Sequence, residues 1–300
     1  MQGLVALVVL SLAAGMIARR TKRFPLQTAE AVNALVLNVA LPALVLRAMH
    51  RVELEWGLLA GAAMLWLQFL FAALLFTGLG RLARLPRGTV GALVLTAGLS
   101  NTAFMGLPII EATLGRDALG TAVFVDQLGS FLLVATLGLA FAAAASGRRL
   151  EPRAVAAKLL GFPAFIALAC AFALRGVEFP LWLDTTLLRL GELLTPLALF
   201  SVGFQLRLGK VRERLGALAL GLGYKLVLAP LLLALTLLLF EDRASQTWTV
   251  TVLQCAMPPM VTGSILAAQH DLDPPLAAAM VGVGIPVSAA TLAAVISLVT

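Results

Sequence analysis

Two short polar stretches of this sequence lie within long apolar segments, and each contains helix-breaking proline. The first, residues 98–108, reads GLSNTAFMGLP, and the second, residues 254–264, reads QCAMPPMVTGS. Proline lacks a backbone donor and its ring displaces the carbonyl four residues earlier, so both stretches predict an interrupted helix with free main-chain polar groups. Free N–H groups at a helix N-terminus, together with the partial positive charge there, favour a carboxylate. The chemistry predicted from these residues is binding of a small organic anion.

Amide and hydroxyl side chains beside the two interruptions would add direct hydrogen bonds to such an anion. Asn101, with the backbone around Pro108 and Pro258, is the predicted carboxylate-binding element. The full set of predicted substrate-binding residues shares this position beside an interruption: Asn101, Thr102, Pro108, Gln254, Pro258, Pro259 and Thr262. The alternative interpretation is that these polar residues only cap the kinks and join helices.

The composition predicts that these stretches are positioned by membrane helices. Hydrophobic residues make up 61 % of the 300 residues, charged residues 12 %, and the mean hydropathy is +1.00. A soluble domain usually has about 45–50 % apolar and about 25 % charged residues. Only helices and closed barrels satisfy the backbone in lipid, and the apolar runs are too long and continuous for barrel strands. The predicted fold class is an all-α polytopic membrane protein in a lipid bilayer.

The apolar runs divide into ten predicted transmembrane helices, called spans 1 to 10 here, because crossing a bilayer takes about 20 apolar residues. They cover residues 3–18, 27–46, 56–79, 89–112, 118–145, 154–174, 184–205, 214–240, 245–269 and 275–298. Span 1 is followed by the basic cluster Arg19, Arg20, Lys22 and Arg23. A signal peptide carries its positive charge before the apolar core, so we expect span 1 to be retained.

The distribution of basic residues predicts the orientation. Most of the 22 Lys and Arg fall in the connections after spans 1, 3, 5, 7 and 9, in clusters at residues 19–23, 81–87, 148–158 and 207–214. The positive-inside rule then places both termini outside a cell membrane.

An internal repeat is visible. Leu41-Pro42-Ala43-Leu44 in span 2 resembles Thr195-Pro196-Leu197-Ala198-Leu199 in span 7, and spans 4 and 9 are interrupted by Gly106-Leu107-Pro108 and Pro258-Pro259. Two copies of five helices have opposite orientation, because an odd number of crossings inverts the second copy. The sequence predicts inverted repeats at residues 1–145 and 154–300, joined by a short connector at 146–153, with the broken spans 4 and 9 crossed. Inverted repeats with paired broken helices are a transporter architecture.

Charged side chains inside predicted spans are costly and usually functional, and Asp126, Lys225 and Glu192 are the candidates among them. Asp126 in span 5 and Lys225 in span 8 fall in the middle to outer part of the bilayer, so we predict a pair that is either structural or proton-linked. Glu192 in span 7 lies three residues after Arg189, which allows an intrahelical ion pair. A proton-sensing role for Glu192 is the alternative.

Four segments of the sequence resemble the auxin efflux carrier family. They are NVALPALVLRAM (38–49), SNTAFMGLPIIEATLG (100–115), PLALFSVGFQL (196–206) and AMPPMVTGSILAAQ (256–269). The family includes plant auxin exporters and bacterial carriers often associated with malonate or malate. The resemblance implies a scaffold made by spans 1, 2, 6 and 7, a moving transport domain made by spans 3–5 and 8–10, and substrate at the crossing of spans 4 and 9. It also implies elevator-type movement and a homodimer through spans 2 and 7.

One departure from the plant members is the short connector at 146–153, which replaces a large hydrophilic loop. Regulation by phosphorylation of that loop is therefore not expected, and auxin becomes a weaker substrate hypothesis.

Other functional classes are less consistent with the residues. A sodium-coupled symporter of the bile-acid type, or a cation/proton antiporter using Asp126, is the second hypothesis. No enzyme activity, cofactor, metal site or nucleic-acid partner is expected, because the sequence lacks a phosphate-binding glycine loop and a metal-ligand cluster. Cys170 and Cys255 lie in apolar segments and His50 and His270 occur singly. The net charge of +7 is spread over clusters between apolar runs, not over one basic domain.

Overall fold

A computed structural model describes residues 2–21, 23–50, 52, 55–149, 152–206, 214–239 and 242–299, without the side chains of residues 2–5, 154 and 158. Several of the basic residues that predict the orientation therefore lie outside the described residues. They are Lys22, Arg207, Lys210 and Arg212, and the side chain of Lys158. The connector at 146–153 is described except for residues 150 and 151.

The described chain is helical and contains no β-strand. The helices are α1 (Gln2–Thr21), α2 (Thr28–Met49), α3 (Trp56–Leu82), α4 (Arg87–Ala97), α5 (Thr102–Leu114), α6 (Arg116–Ser146), α7 (Pro152–Leu160), α8 (Pro163–Ala173), α9 (Leu181–Gln205), α10 (Leu215–Leu237), α11 (Gln246–Ala256), α12 (Val261–Gln269) and α13 (Pro274–Val299).

Six of the described helices are long and apolar enough to cross a membrane: α2, α3, α6, α9, α10 and α13. They correspond to predicted spans 2, 3, 5, 7, 8 and 10. Their lengths of 22 to 31 residues match the roughly 20 residues that a bilayer requires. The chain is therefore a multi-pass membrane protein.

Predicted span 9 is interrupted where the sequence indicated. Helix α11 ends at Ala256 and α12 begins at Val261, with Pro258 and Pro259 between them. Predicted span 6 is also divided, between α7 and α8, which the sequence analysis missed. Pro163 starts α8, where its fixed φ and missing N–H suit the first turn of a helix.

The predicted position of the interruption in span 4 is wrong. The helix breaks between Ala97 and Thr102, and Pro108 lies within α5. A π-helical turn at Thr102–Gly106 precedes the proline, and the N–H of Leu107 bonds to the carbonyl of Thr102. The wider turn makes room for the ring of Pro108, so the helix continues past it.

Similar wide turns occur in other helices. They are Val36–Ala40 before Pro42 in α2, Tyr224–Leu228 before Pro230 in α10, and Val125–Phe131 and Val134–Gly138 in α6. Asp126 and Lys225 both lie in such turns. Wide turns of this kind are frequent at functional sites of helices.

The helices pack in two groups. In the first, α1 lies along the second half of α9, and the second half of α2 lies against α8 and the first half of α9. In the second, α4 contacts α3, α12, α13 and α10, while α11 contacts α3, α10 and α13. Helix α6 packs on α3, and α5 lies between the groups, in contact with α1 and α9.

Gly15 and Gly203 allow the close approach of α1 and α9. A Cβ atom on Gly15 would overlap the carbonyl oxygen of Phe200, and one on Gly203 would overlap that of Leu12. Small residues are typical where membrane helices approach this closely.

Replacing Gly15 with alanine should therefore lower the free energy of unfolding by about 1–3 kcal/mol, because two backbones must separate to admit the methyl group. Gly78→Ala in α3 is the matched control, since nothing lies within 4 Å of the added atom. Thermal unfolding in detergent measures both variants. Equal unfolding temperatures for the two would contradict the close approach.

Candidate functional site

The two interruptions meet at one place, which we call the crossing: residues 98–101 between α4 and α5, and residues 257–260 between α11 and α12. The N–H of Asn101 donates to the carbonyl of Pro258 at 2.9 Å, and the N–H of Met260 donates to the carbonyl of Leu99 at 3.2 Å. Ser100 and Pro259 thereby pair as in an antiparallel sheet. Several main-chain groups at the breaks thus satisfy one another, as the backbone of a membrane protein requires in lipid.

Asn101 occupies the N-cap position of α5 and is 1 % exposed. Its carbonyl oxygen accepts hydrogen bonds from the N–H groups of Met105 (3.3 Å) and Gly106 (3.1 Å). Its side-chain Nδ2 is buried and has no hydrogen-bond partner among the described residues. An unsatisfied buried donor is costly and rare in native proteins, so each case needs an explanation. A bound ligand whose oxygen accepts a hydrogen bond from Nδ2 would explain the unsatisfied donor of Asn101.

Asp126 lies beside the first turn of α5. Thr102 donates its hydroxyl to Asp126 Oδ1 at 2.5 Å, and Gln127 Nε2 donates to Oδ2 at 2.8 Å. Asp126 is 2 % exposed. A negative side chain near a helix N-terminus complements the helix dipole. The hydroxyl of Thr102, predicted to bind substrate, is therefore engaged by Asp126.

Lys225 is fully buried at the other side of the crossing, at the C-terminal end of α11. Its Nζ donates to Ser100 Oγ at 2.5 Å and to the carbonyl oxygen of Cys255 at 3.0 Å. Gln68 of α3 also contacts both partners, with its Nε2 donating to Cys255 at 3.3 Å and its Oε1 accepting from Ser100 at 3.1 Å. A cation at a helix C-terminus complements the negative end of the dipole.

The predicted pairing of Asp126 with Lys225 is wrong. The two side chains share no ion pair, and each has its own neutral partners as given above. The physical reason is that the crossing offers a helix N-terminus to the carboxylate and a helix C-terminus to the ammonium group. Each charge is compensated by a helix end of opposite polarity.

Gln254 connects α11 to α5 and α6. It is fully buried, and its Nε2 donates to the carbonyl of Ala122 at 3.2 Å. Its Oε1 has no hydrogen-bond partner within the described chain, and its amide packs on Gly106, where a Cβ atom would overlap it. The absence of a side chain at Gly106 is what allows this contact.

The remaining predicted site residues lie at different distances from the crossing. Pro258 and Pro259 are part of it. Thr262 is half-buried in the first turn of α12, and none of the hydrogen bonds between described residues involves its side chain. Pro108 is buried further along α5. The structure thus brings Asn101, Thr102, Gln254, Pro258 and Pro259 together.

Sequence reasoning missed Gln68, Gln127 and Tyr224. Gln68 is fully buried, and the Tyr224 hydroxyl donates to its carbonyl oxygen at 2.6 Å. A buried amide in an otherwise apolar run was the available signal for Gln68, because such a group requires partners.

Glu192 lies away from the crossing, in what we call the ion-pair cavity, a space of about 290 Å³ between α2, α5, α6 and α9. Arg189 is 3.1 Å from it within the same helix, but Arg116 at the start of α6 is closer, at 2.6 Å. Arg116 also reaches Glu111 of α5 at 3.4 Å, and Thr195 of α9 donates to Glu111 at 2.9 Å. These contacts join the two helix groups.

Comparisons with known proteins cover almost the whole chain. The family described as "Membrane transport protein" matches residues 1–296. An "Uncharacterized transporter" of Methanothermobacter thermautotrophicus is 28 % identical over 270 residues, which cover 82 % of this chain and 81 % of that protein. The family match includes both interruptions and the residues around the crossing.

Proposed function

This chain belongs to the membrane transport protein family, the family of the auxin efflux carriers, and from that premise we propose that it is a secondary carrier of small organic anions. The proposed substrates are carboxylates, such as a dicarboxylate or an auxin-like acid. The proposed architecture is two inverted five-helix repeats, residues 1–145 and 154–300, with the substrate at the crossing.

The buried Nδ2 of Asn101 carries this proposal. It is a hydrogen-bond donor without a partner among the described residues, at the N-terminus of a helix inside a membrane protein. A carboxylate oxygen would satisfy the donor and would lie at the positive end of the α5 dipole. Half-helix N-termini that point at anionic groups are a recurring feature of transporter binding sites.

The proposed movement is elevator-type alternating access. Helices α1, α2 and α7–α9 form the proposed scaffold, and α3–α6 with α10–α13 form the proposed transport domain. The hydrogen bonds of Asp126, Lys225, Gln68 and Gln254 are all made within the proposed transport domain. The site can therefore move as one unit without breaking its own contacts, which supports the proposal.

The sodium-coupled alternative is less well supported. Carbonyl oxygens at the C-terminal end of a half-helix are typical sodium ligands in transporters. Here Lys225 Nζ donates a hydrogen bond to the carbonyl oxygen of Cys255. An ammonium group at this carbonyl takes the place that a sodium ion would need. For a cation/proton antiporter, Asp126 would have to exchange a proton while held by Thr102 and Gln127.

The proposed orientation follows the basic residues. Arg148 pairs with Asp271 at 3.0 Å and Arg214 with Asp273 at 3.1 Å, which brings the ends of α6, α10 and α12 to one face. We place this face in the cytoplasm of a cell, with both termini outside. The proposed assembly is a homodimer through α2 and α9.

Ligand-dependent thermal stability tests the proposed function. Mono- and dicarboxylates are added to the purified protein at two pH values, with and without sodium, because a ligand at 100 times its dissociation constant stabilises the native state by about 2.7 kcal/mol. We expect at least one carboxylate to raise the unfolding temperature without sodium and to drive counterflow in proteoliposomes. A response that requires sodium, or no response to any carboxylate, would contradict the proposal.

Breaking the contact between Arg116 and Glu192 should accelerate exchange, because elevator movement has to separate these residues in every cycle. An exposed ion pair contributes up to about 1 kcal/mol, so Glu192→Gln should raise the counterflow rate by about two- to five-fold. Arg189→Gln is the matched control, since it removes the intrahelical partner and leaves Arg116 bonded to Glu192. Equal rates for both variants would contradict the proposed movement.

A further inference from the structure

Three arginines line a groove on the face that also holds Arg148 and Arg214. Arg81 at the end of α3, Arg84 in the following turn and Arg87 at the start of α4 form one side of it. Phe141, Ala144 and Ala145 of α6 form the other side, and the volume is about 590 Å³. We call this the arginine groove.

The three guanidinium groups are not neutralised within the described part of the chain. None of them makes an ion pair or a side-chain hydrogen bond with a described residue, and all three residues are exposed. The carboxylates of Asp271 and Asp273 on this face have other partners, since Asp271 binds Arg148, and Asp273 binds Arg214 and the hydroxyl of Thr89. Adjacent cations without carboxylates favour an anionic ligand.

Arg84 occupies a backbone conformation that usually belongs to glycine. Its φ is +51°, and the N–H of Leu85 donates to the carbonyl of Gly80 at 2.9 Å, which closes the end of α3 as in a Schellman motif. The position after such a helix end is usually glycine, because a side chain there is strained. Arginine at this position adds a positive charge to the groove and strains the backbone. The strain suggests that the charge has a function, such as binding an anion.

The surface leading to the groove is apolar. Leu74, Gly78 and Arg81 lie on one face of α3, because residues three, four and seven apart share a face. Leu74 is 71 % exposed, and Leu82, which follows Arg81 in the chain, is 83 % exposed. Apolar surface along a membrane helix that ends in a cluster of arginines matches the two parts of a phospholipid, its acyl chains and its headgroup.

We propose that the arginine groove binds a phospholipid with a net negative headgroup, whose phosphate contacts the arginines and whose acyl chains lie along α3. The proposal depends on the chain being a membrane protein and not on the transported substrate. Basic pockets between membrane helices bind anionic headgroups elsewhere by the same electrostatic attraction. Since α3, α4 and α6 belong to the proposed transport domain, the bound lipid would travel with that domain.

Native mass spectrometry of the full-length protein, titrated with phosphatidylglycerol and separately with phosphatidylcholine, tests the proposal. We expect phosphatidylglycerol to bind at least tenfold more tightly. Each arginine near an anionic headgroup contributes about 1 kcal/mol, so Arg84→Gln with Arg87→Gln should weaken phosphatidylglycerol binding by about 25-fold. The control is Arg149→Gln with Arg153→Gln, which removes the same exposed charge outside the groove. The control should change the affinity for phosphatidylglycerol by less than two-fold.

A single variant separates binding from folding. Arg84→Gly removes one guanidinium group while relieving the strain at φ +51°, so its unfolding temperature should be equal to or above that of the native protein. Its affinity for phosphatidylglycerol should fall by about five-fold.

Several results would overturn the proposal. If the groove variant and the control variant lose the same affinity for phosphatidylglycerol, the lipid is attracted by the overall surface charge and not by the groove. If phosphatidylcholine binds as tightly as phosphatidylglycerol, the net charge of the headgroup does not determine binding. Binding of glycerol 1-phosphate as tight as that of phosphatidylglycerol would assign the groove to a free phosphate and not to a lipid.

Discussion

Replacing Asn101 with alanine should weaken binding of a transported carboxylate by about 10- to 100-fold and leave the protein folded. A hydrogen bond to a charged group contributes about 1.5–3 kcal/mol, and this variant removes one such donor from the proposed site. Folding should be nearly unaffected because Nδ2 has no partner among the described residues that its removal would leave unsatisfied. The ligand-induced rise in unfolding temperature and the rate of counterflow both measure the loss.

Asn38→Ala is the matched control for this variant. Asn38 is an exposed asparagine of α2 whose Nδ2 donates to the carbonyl of Ala34 in its own helix at 2.7 Å, so the same chemical change is made away from the crossing. We expect its affinity for the carboxylate to remain within two-fold of the native value. If Asn101→Ala retains native affinity, the carboxylate is bound elsewhere.

Replacing Lys225 with alanine should lower the free energy of unfolding by about 3–5 kcal/mol. The side chain is fully buried, so truncation leaves a cavity of several methylene groups and removes the hydrogen bonds to Ser100 and Cys255. Thermal unfolding in detergent is the measurement.

Lys225→Met separates the volume of this side chain from its charge. Methionine refills most of the cavity without the ammonium group, and burying an ion is itself costly, so most of the stability should return. If the alanine variant unfolds at the native temperature, the tight packing around Lys225 is refuted. If the methionine variant is as unstable as the alanine variant, the hydrogen bonds of the ammonium group are the main contribution of Lys225 to stability.

The two buried charges of the crossing are stabilised separately, which has a consequence for transport. Asp126 is held at the N-terminal end of α5 and Lys225 at the C-terminal end of α11. Because neither side chain depends on the other, the carboxylate that we propose to bind at Asn101 would not have to compete with an internal ion pair. The two helix ends at the crossing and their separate polar partners are thus already in place around the proposed site.

The sequence by itself determined the class of the protein and the position of most helices. The length and apolarity of the segments are local properties, and the solvent of a membrane helix acts on each segment independently. For the same reason the break at Pro258-Pro259 was predictable, since consecutive prolines remove two backbone donors at one point. Asn101 and Gln254 were recognisable as polar residues beside the predicted breaks.

The tertiary structure decided which groups meet. The break before α5 lies at residues 98–101 and not at Pro108, because a wide turn absorbs that proline. Asp126 binds Thr102 instead of Lys225, and Glu192 binds Arg116 as well as Arg189. These choices depend on the rotation of each helix about its axis and on its depth relative to its neighbours. Both are set by packing between segments far apart in the chain, and hydropathy and residue spacing within one segment carry no information about them.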